Sequence, residues 1–367
     1  MFHYFLLPLQ SFSEPLYILR CKLGIMKKQK HGGRLLTALV LGLVASGAIM
    51  AYFLFMPMSK TGDTEYVYID TDDDIDSVMV KVGRVSRGTS MTIFRLLSSY
   101  TGYGDHIRTG RYAVDAKTGG LQTFRHFRNG QQAPVSLTIP SVRTKERLAE
   151  EIARHLMLSA SDLTALLDDE AVCGDYGLDT LTIQTLFIPN TYDVYWNISP
   201  KNLLDRMKKE SDRFWTPERK GKAETAGMTP VEVITMASIV DEETANDAEK
   251  PMVAGMYVNR LKAGMPLQAD PTIKYAWRRF DLRRIYNKLL FIDSPYNTYR
   301  NTGLPPGPIR IPSVAGIDAV LNHIHHNYMY MCAKEDFSGT HNFAVTYDEH
   351  LKNAAKYSEA LNRRGIK

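Results

Sequence analysis

The sequence has few cysteines and none of the short motifs that mark nucleotide or serine-elbow chemistry. P-loops, dinucleotide-binding fingerprints and G-x-S-x-G elbows are absent, so nucleotide chemistry and acyl transfer have no support. The three cysteines, Cys21, Cys173 and Cys332, do not have the spacing of a metal site. A disulfide between Cys173 and Cys332 and a pair of buried thiols both stay open.

Charge of one sign is also scarce. The formal net charge is only +5 over 367 residues and no long run of lysine and arginine occurs, which argues against a nucleic-acid partner. Hydrophobic residues make up 44% and charged residues 23% of the chain, which are ordinary values for a folded protein. This composition excludes wholesale disorder and a protein with many membrane spans.

Two clusters of potential metal ligands lack the rest of a metal-binding pattern. The acidic run DTDDDID at 70–76 has Ile75 where a calcium loop needs glycine, and Lys81 where it needs glutamate. The sequence HIHH at 323–326 lacks the i, i+4 spacing of a helical zinc site and is typical of a solvated helix end. The sequence therefore predicts no metal site.

One uncharged stretch, from Leu35 to Met58, predicts a transmembrane helix. At about 1.5 Å per residue it is long enough to cross a hydrocarbon core of about 30 Å. Basic residues precede it and acidic residues follow soon after it, so the positive-inside rule places the N-terminus in the cytoplasm. We expect a single-pass protein of the cytoplasmic (inner) membrane with its remaining domains outside, on the periplasmic side. A cleaved signal peptide is the alternative, although the apolar run is longer than a typical signal core.

Residues 1–34 are then a cytoplasmic segment. Residues 1–25 have neither a helical nor a targeting pattern, whereas a basic stretch begins at Met26. We take Met26 as an alternative start and leave residues 1–25 out of the fold prediction.

Beyond the span, the patterns predict an α+β fold in two regions, 59–185 and 186–367. Alternating and helical periodicities in the first region predict strands at 64–70, 107–114 and 134–140, and helices at 89–100 and 145–158. An aromatic, Pro/Asn-rich stretch beginning at Leu186 marks entry into the second region. There we expect helices near 200–215, 229–246, 248–263, 314–326 and 347–363, and strands near 328–333 and 342–346. The stretch 264–312 is rich in loops, where substrate contacts are expected.

The helix near 229–246 carries the best candidate for catalysis. Thr229, Pro230 and Glu232 form the start signal of a capped helix. At 100° per residue Glu243 shares a face with apolar residues, while Asp241 and Glu242 are rotated away from it.

A carboxylate on an apolar face loses water, which raises its pKa toward that of a general acid for glycosidic cleavage. We expect only Glu243 among the three acids to be desolvated. The alternatives are that Glu243 is solvated at the last turn or pairs with an arginine such as Arg260.

Three blocks resemble the signatures of the endolytic murein transglycosylase family, the YceG-like or MltG proteins. They are ASIVDEET at 237–244, VNRLKAGMPLQADPTIKYA at 258–276 and SPYNTYRNTGLPPGPI at 294–309. The resemblance covers about 60–367 and implies one N-terminal membrane helix, a small LysM-like α+β domain and a mixed α+β catalytic domain. It also implies that Glu243, directly before a threonine, is the catalytic residue.

The resemblance further implies a lytic transglycosylase, a lyase that cleaves nascent peptidoglycan strands between MurNAc and GlcNAc. Glu243 would protonate the glycosidic oxygen and then take the proton of the muramyl 6-hydroxyl, leaving 1,6-anhydro-MurNAc ends. One carboxylate suffices for this reaction, with no metal or cofactor. The enzyme would terminate strand elongation beside membrane-bound peptidoglycan synthases.

Polar and aromatic loop residues in the second and third blocks are suited to sugar hydroxyls, acetamido groups and ring faces. We expect the following residues along the cleft: Gln268, Asp270, Thr272, Tyr275, Asn297, Thr298 and Tyr299. The alternative for each is a structural role in the loops, since several are also good turn and helix-start residues. His341 either lines the site or is structural.

Two other functions stay open at this stage. One is a non-catalytic peptidoglycan-binding scaffold for cell-wall synthases. The other is a hydrolase in which Asp241 is a second carboxylate, which would release reducing ends instead of anhydro ends.

Overall fold

The computed structural model describes residues 14–282 and 284–365. The chain divides into two compact units at the boundary between Ala133 and Pro134. Strands in the described residues form three separate two-stranded antiparallel sheets, and helices supply most of the remaining structure. The fold class is therefore α+β, as the sequence predicts.

The N-terminal helix, α1, covers Glu14–Phe55. Its part Arg34–Phe55 is long and apolar enough to cross a membrane, and none of it is buried. It is the one such helix among the described residues. Residues 14–25, which we left out of the fold prediction, are helical, while residues 1–13 lie outside the described part.

The predicted end of the span, Met58, is three residues too late. Helix α1 ends at Phe55 because Pro57 has no amide hydrogen to continue the helix. Pro57 instead forms a β-bridge with Gly119, and Met58 is fully buried in the core of the N-terminal unit.

The rest of the N-terminal unit is a small α+β fold around an aromatic core. Its elements are β1 (Glu65–Ile69), α2 (Ile75–Val85), α3 (Gly88–Thr101), β2 (Gly110–Val114) and α4 (Gly120–Asn129). Strands β1 and β2 pair antiparallel, with Val67 opposite Tyr112. Phe127 stacks on Tyr112 at a centroid distance of 4.5 Å and lies edge-on to Phe94. The predicted strands are confirmed, whereas helix α2, which precedes the helix predicted at 89–100, was not predicted.

The acidic run at 70–76 has a structural role in starting α2. The Asp74 side chain accepts a hydrogen bond from the Ser77 amide, as an N-cap does. Asp70 and Asp73 both accept from the Lys81 ammonium, at 3.0 and 2.5 Å.

The C-terminal unit contains ten α-helices and four strands within its described residues. The helices are α5 (Lys145–Ala153), α6 (Ala160–Leu167), α7 (Glu170–Asp175), α8 (Pro200–Phe214), α9 (Pro217–Thr225), α10 (Pro230–Glu243), α11 (Lys250–Lys262), α12 (Asp270–Ala276), α13 (Val314–Leu321) and α14 (Tyr347–Arg363). The strands are β3 (Val135–Thr138), β4 (Thr191–Val194), β5 (Tyr330–Ala333) and β6 (His341–Ala344).

Residues 134–185 belong to the C-terminal unit, which corrects the prediction that they form part of the region 59–185. The reason is strand pairing: β3 pairs antiparallel with β4, which lies beyond the expected boundary at 185/186. The two strands and helices α5 to α8 share one hydrophobic core, in which Leu137, Ile152 and Leu204 are fully buried. Strand β4 itself was not predicted.

A second core in this unit surrounds α10 and positions the candidate site. Helix α10 packs against α9, α11, α12 and α13. Two of these helices, α9 and α12, were not predicted, and α12 lies within the stretch that we expected to be loop-rich. Strands β5 and β6 pair with each other, and α14 packs on both.

Candidate active site

Helix α10 begins where the sequence predicts and ends at Glu243. The Thr229 hydroxyl accepts from the Glu232 amide, and the Glu232 carboxylate accepts from the Thr229 amide at 2.7 Å, which completes the capping box. Thr244 has an extended backbone and turns the chain out of the helix. Glu243 therefore occupies the last helical position, three residues before the expected end at 246.

Helix α10 is buried on every side, so the predicted single apolar face was wrong. All residues from Val233 to Val240 are buried, including Thr235 and Ser238. The two hydroxyls donate to backbone oxygens within the helix, at Val231 and Thr235, which satisfies them without water. Packing against four helices, rather than amphipathic phase, removes water from this region.

The two acids beside Glu243 are also withdrawn from water, which corrects the expectation that only Glu243 is desolvated. Asp241 has a side chain that is 4% exposed, lies 2.8 Å from the Lys250 ammonium and accepts from the Ser313 amide. Glu242 accepts from the guanidinium groups of Arg143 and Arg310, at 2.7 and 2.9 Å. Both acids thus pair with cations.

Glu243 has no cation bound to it among the described residues. Its Oε1 accepts a hydrogen bond from the Tyr257 hydroxyl at 2.8 Å. Burial raises the pKa of Glu243 to about 7, opposed by the Tyr257 hydrogen bond and supported by the charge of Asp270. A carboxyl with this pKa can donate a proton near neutral pH and take it back afterwards.

Neither alternative for Glu243 agrees with the structure. Glu243 is partly buried rather than solvated at a free helix end. The Arg260 guanidinium donates to the carbonyl oxygens of Met329 and Leu267 and to the Gln268 side chain, not to Glu243.

Glu243 opens onto a cleft of about 500 Å³. The walls come from α10, α11, the segment before α12, strands β5 and β6, and the start of α14. The lining residues are Glu243, Met256, Tyr257, Arg260, Leu267, Gln268, Asp270, Tyr299, Met331, Cys332, Ala333, His341, Tyr347 and His350. This lining combines acids, amides and hydroxyls with aromatic rings, a mixture suited to a sugar chain.

Three of the seven expected substrate residues line this cleft: Gln268, Asp270 and Tyr299. The Tyr299 hydroxyl donates to Asp270 Oδ1 at 2.5 Å, which joins two loops across the cleft wall. Gln268 has a left-handed backbone conformation, with φ of 54°, and its backbone N–H donates to the Thr298 carbonyl oxygen. The loops that we expected to contact substrate therefore do reach the cleft.

The other four expected residues, Thr272, Tyr275, Asn297 and Thr298, are buried and do not line the cleft. The hydroxyls of Thr272 and Thr298 are 2.9 Å apart in a buried contact. The Asn297 amide donates to two backbone oxygens, and Tyr275 packs on Tyr296 at a centroid distance of 4.7 Å. These side chains hold the loops in place, which is the structural alternative left open above.

Sequence reasoning missed Tyr257, Tyr347 and His350 in the cleft. No periodicity or motif marks them, because they reach the cleft only through the packing of α11 and α14. His341, which was left open, does line the cleft, and its ring Nδ1 lies 3.0 Å from Glu249 Oε2. No local spacing could have indicated the contact between His341 and Glu249, since the two residues are 92 positions apart in sequence.

The two cysteines beyond the span are free thiols, so the disulfide alternative is wrong. Cys173 is buried in the core around β3 and β4, whereas Cys332 lines the cleft.

Comparison with known proteins places this chain in a family. The model of the YceG-like family matches residues 67–356. A relative named endolytic murein transglycosylase from Bacillus subtilis (strain 168) is 31% identical over 243 residues, which cover 62% of this chain and 66% of the relative. A relative of the same name from Streptococcus pneumoniae serotype 2 is 26% identical over 314 residues, which cover 77% of this chain and 56% of the relative. The chain thus spans 66% and 56% of the lengths of these two relatives.

A solved structure agrees with these matches. The crystal structure of a YceG-like protein from Listeria monocytogenes superposes with a TM-score of 0.51 at 25% sequence identity, covering 80% of this chain and 99% of that one. The family match extends over most of the chain and includes the whole cleft. The chain therefore belongs to the YceG-like family.

Proposed function

We propose that this protein is an endolytic murein transglycosylase that cleaves peptidoglycan glycan strands between MurNAc and GlcNAc. The observation that carries the proposal is Glu243, a carboxyl in a sugar-sized cleft whose pKa burial raises to about 7. The names of the relatives from Bacillus subtilis and Streptococcus pneumoniae support the same reaction. The cleft size and its polar and aromatic lining support a sugar substrate.

The proposed reaction uses Glu243 first as an acid and then as a base. Glu243 donates its proton to the glycosidic oxygen while the bond from that oxygen to the anomeric carbon breaks. The muramyl 6-hydroxyl then attacks the anomeric carbon, and its proton passes to the Glu243 carboxylate. A 1,6-anhydro-MurNAc end forms and the enzyme regains its starting protonation state without water as a nucleophile.

Asp241 does not fit the role of a second catalytic carboxylate. Its side chain is bound to Lys250 and Ser313 and does not line the cleft. This arrangement favours the one-carboxylate reaction over a hydrolase that uses Asp241 with Glu243.

We assign substrate binding to Gln268, Asp270 and Tyr299, the three expected residues in the cleft. The Gln268 amide can exchange hydrogen bonds with acetamido groups, and Asp270 can accept from sugar hydroxyls. Thr272, Tyr275, Asn297 and Thr298 contribute by holding these loops in place.

We further propose that α1 anchors the protein in the cytoplasmic membrane, with both folded units on the outer side. The basic residues before Arg34–Phe55 support this orientation. The N-terminal unit, in which helices α2 and α3 connect the antiparallel strands β1 and β2, would be the LysM-like module that holds glycan. Anchoring would keep the enzyme at nascent strands, where it would terminate elongation beside membrane-bound synthases.

Digestion of purified sacculi tests the activity. Soluble fragments carrying 1,6-anhydro ends are expected from the wild-type protein and none from Glu243→Gln, which keeps the side-chain shape but cannot donate the proton. Absence of cleavage by the wild-type protein would favour a non-catalytic scaffold, and reducing muramic ends would show a hydrolase.

A further inference from the structure

The hydroxyl of Tyr257 is the one hydrogen-bond donor to the Glu243 carboxyl among the described residues. Tyr257 belongs to α11, is 1% exposed and packs in the core that surrounds α10. Its hydroxyl donates to Glu243 Oε1 at 2.8 Å. Because α10 and α11 pack together, the donor is held in place before any substrate binds.

This contact makes the two oxygens of Glu243 different. Oε1 is occupied by Tyr257, whereas Oε2 has no hydrogen-bond partner among the residues the structure describes. Arg260, one turn beyond Tyr257, is committed to backbone oxygens and to Gln268. Oε2 is therefore the oxygen left for a ligand in the cleft.

We propose that Tyr257 is a positioning residue that holds Glu243 Oε1, so that Oε2 carries the proton delivered to the glycosidic oxygen. The inference rests on the proposed transglycosylase function. In the starting state the Oε2–H bond points to substrate while Tyr257 donates to the carbonyl-type Oε1. When the proton leaves, its bonding electrons stay on the carboxylate, and the Tyr257 hydrogen bond becomes charge-assisted and stronger. Tyr257 thus stabilises the transition state more than the ground state.

Other charged and titratable groups also face Glu243, so the test must separate their effects from that of Tyr257. Asp270 and Lys274 come from α12, and Glu242 precedes Glu243 on α10. The remaining charged or titratable residues that line the cleft are Arg260, Tyr299, Cys332, His341, Tyr347 and His350. None of these groups forms a hydrogen bond to the Glu243 carboxyl, whereas the Tyr257 hydroxyl does.

Tyr257→Phe removes this one hydroxyl and keeps the ring. We expect kcat to fall by about 10- to 100-fold, the effect of losing a hydrogen bond to a developing charge, with KM changed little. The Tyr257 hydrogen bond lowers the pKa of Glu243, so its loss should move the alkaline limb of the kcat profile to higher pH. A lower rate combined with a limb at higher pH is a signature that a merely structural tyrosine would not give.

Tyr192→Phe is the matched control. Tyr192 is also buried, lies away from the cleft on β4, and its hydroxyl donates to the Ile188 carbonyl oxygen at 2.8 Å. This variant loses one buried hydrogen bond of the same length, so it reproduces the cost in stability. Its kcat profile should keep the wild-type limb.

Wild-type kcat and an unmoved limb in Tyr257→Phe would overturn the inference. If that variant does not fold, replacement of Tyr257 by 3-fluorotyrosine gives the opposite test, because a more acidic phenol donates more strongly. The limb should then move to lower pH, and an unmoved limb would overturn the inference. Glu243→Gln in the same assay distinguishes a failure of the Tyr257 inference from a failure of the proposed function. Cleavage by Glu243→Gln would refute the proposed function, whatever the effect of Tyr257→Phe.

Discussion

Raising the pH from 6 to 8 should inhibit cleavage by titrating Glu243. Because the pKa of this carboxyl is about 7, its protonated fraction falls from about nine tenths at pH 6 to about one tenth at pH 8. Only the protonated form can start the reaction, so kcat/KM, which reports the free enzyme, should fall roughly tenfold over this interval. The assay is the initial rate at which soluble muropeptide fragments are released from limiting peptidoglycan at each pH.

Two neighbouring charges allow the fall in rate at high pH, the alkaline limb of the pH profile, to be assigned to Glu243. The Asp270 charge raises the pKa of Glu243 and the Lys274 charge lowers it. Asp270→Asn should therefore move the limb to lower pH, and Lys274→Met should move it to higher pH. A rate that stays flat from pH 6 to 8, or two shifts of the same sign, would refute the assignment of the limb to a desolvated Glu243.

Two further predictions concern stability. The folded-state pKa of Glu243 is raised from 4.5 to about 7, so its protonation stabilises the fold below about pH 4.5 and this stabilisation is lost as pH rises through 7. The free energy of unfolding of Glu243→Gln, determined by denaturation, should thus rise relative to that of the wild type by up to about 3 kcal/mol between pH 4.5 and 8. The same difference in free energy of unfolding between the two proteins at both pH values would contradict this prediction. Asp241→Asn should lower the free energy of unfolding by about 2 to 4 kcal/mol, because it weakens the buried ion pair with Lys250. The variant should keep the wild-type dependence of rate on pH. A folded but inactive Asp241→Asn variant would instead indicate two catalytic carboxylates.

Local signals in the sequence were sufficient to predict many of the helices and strands. The capping box of Thr229 and Glu232 marks the start of α10. The alternating residues at 64–70 and 107–114 become the paired strands β1 and β2. Each of these signals lies within a short stretch of sequence.

Features that depend on distant residues were not predictable. Glu242 is held by Arg143 and Arg310, which lie 99 and 68 residues away, so its desolvation has no local signal. Strand β4 is short and gains its pairing from β3, more than fifty residues earlier. The polar loop residues Asn297 and Thr298 look suited to sugar binding in sequence, but the loops fold so that both bond to the protein instead.

Mass spectrometry of the products from purified sacculi tests the central claim most directly. The wild-type protein should release fragments with 1,6-anhydro-MurNAc ends, which are lighter by one water than hydrolytic products. A folded Glu243→Gln variant should release none under the same conditions. Cleavage by Glu243→Gln at the wild-type rate, or reducing MurNAc ends from the wild-type protein, would contradict the one-carboxylate lytic mechanism.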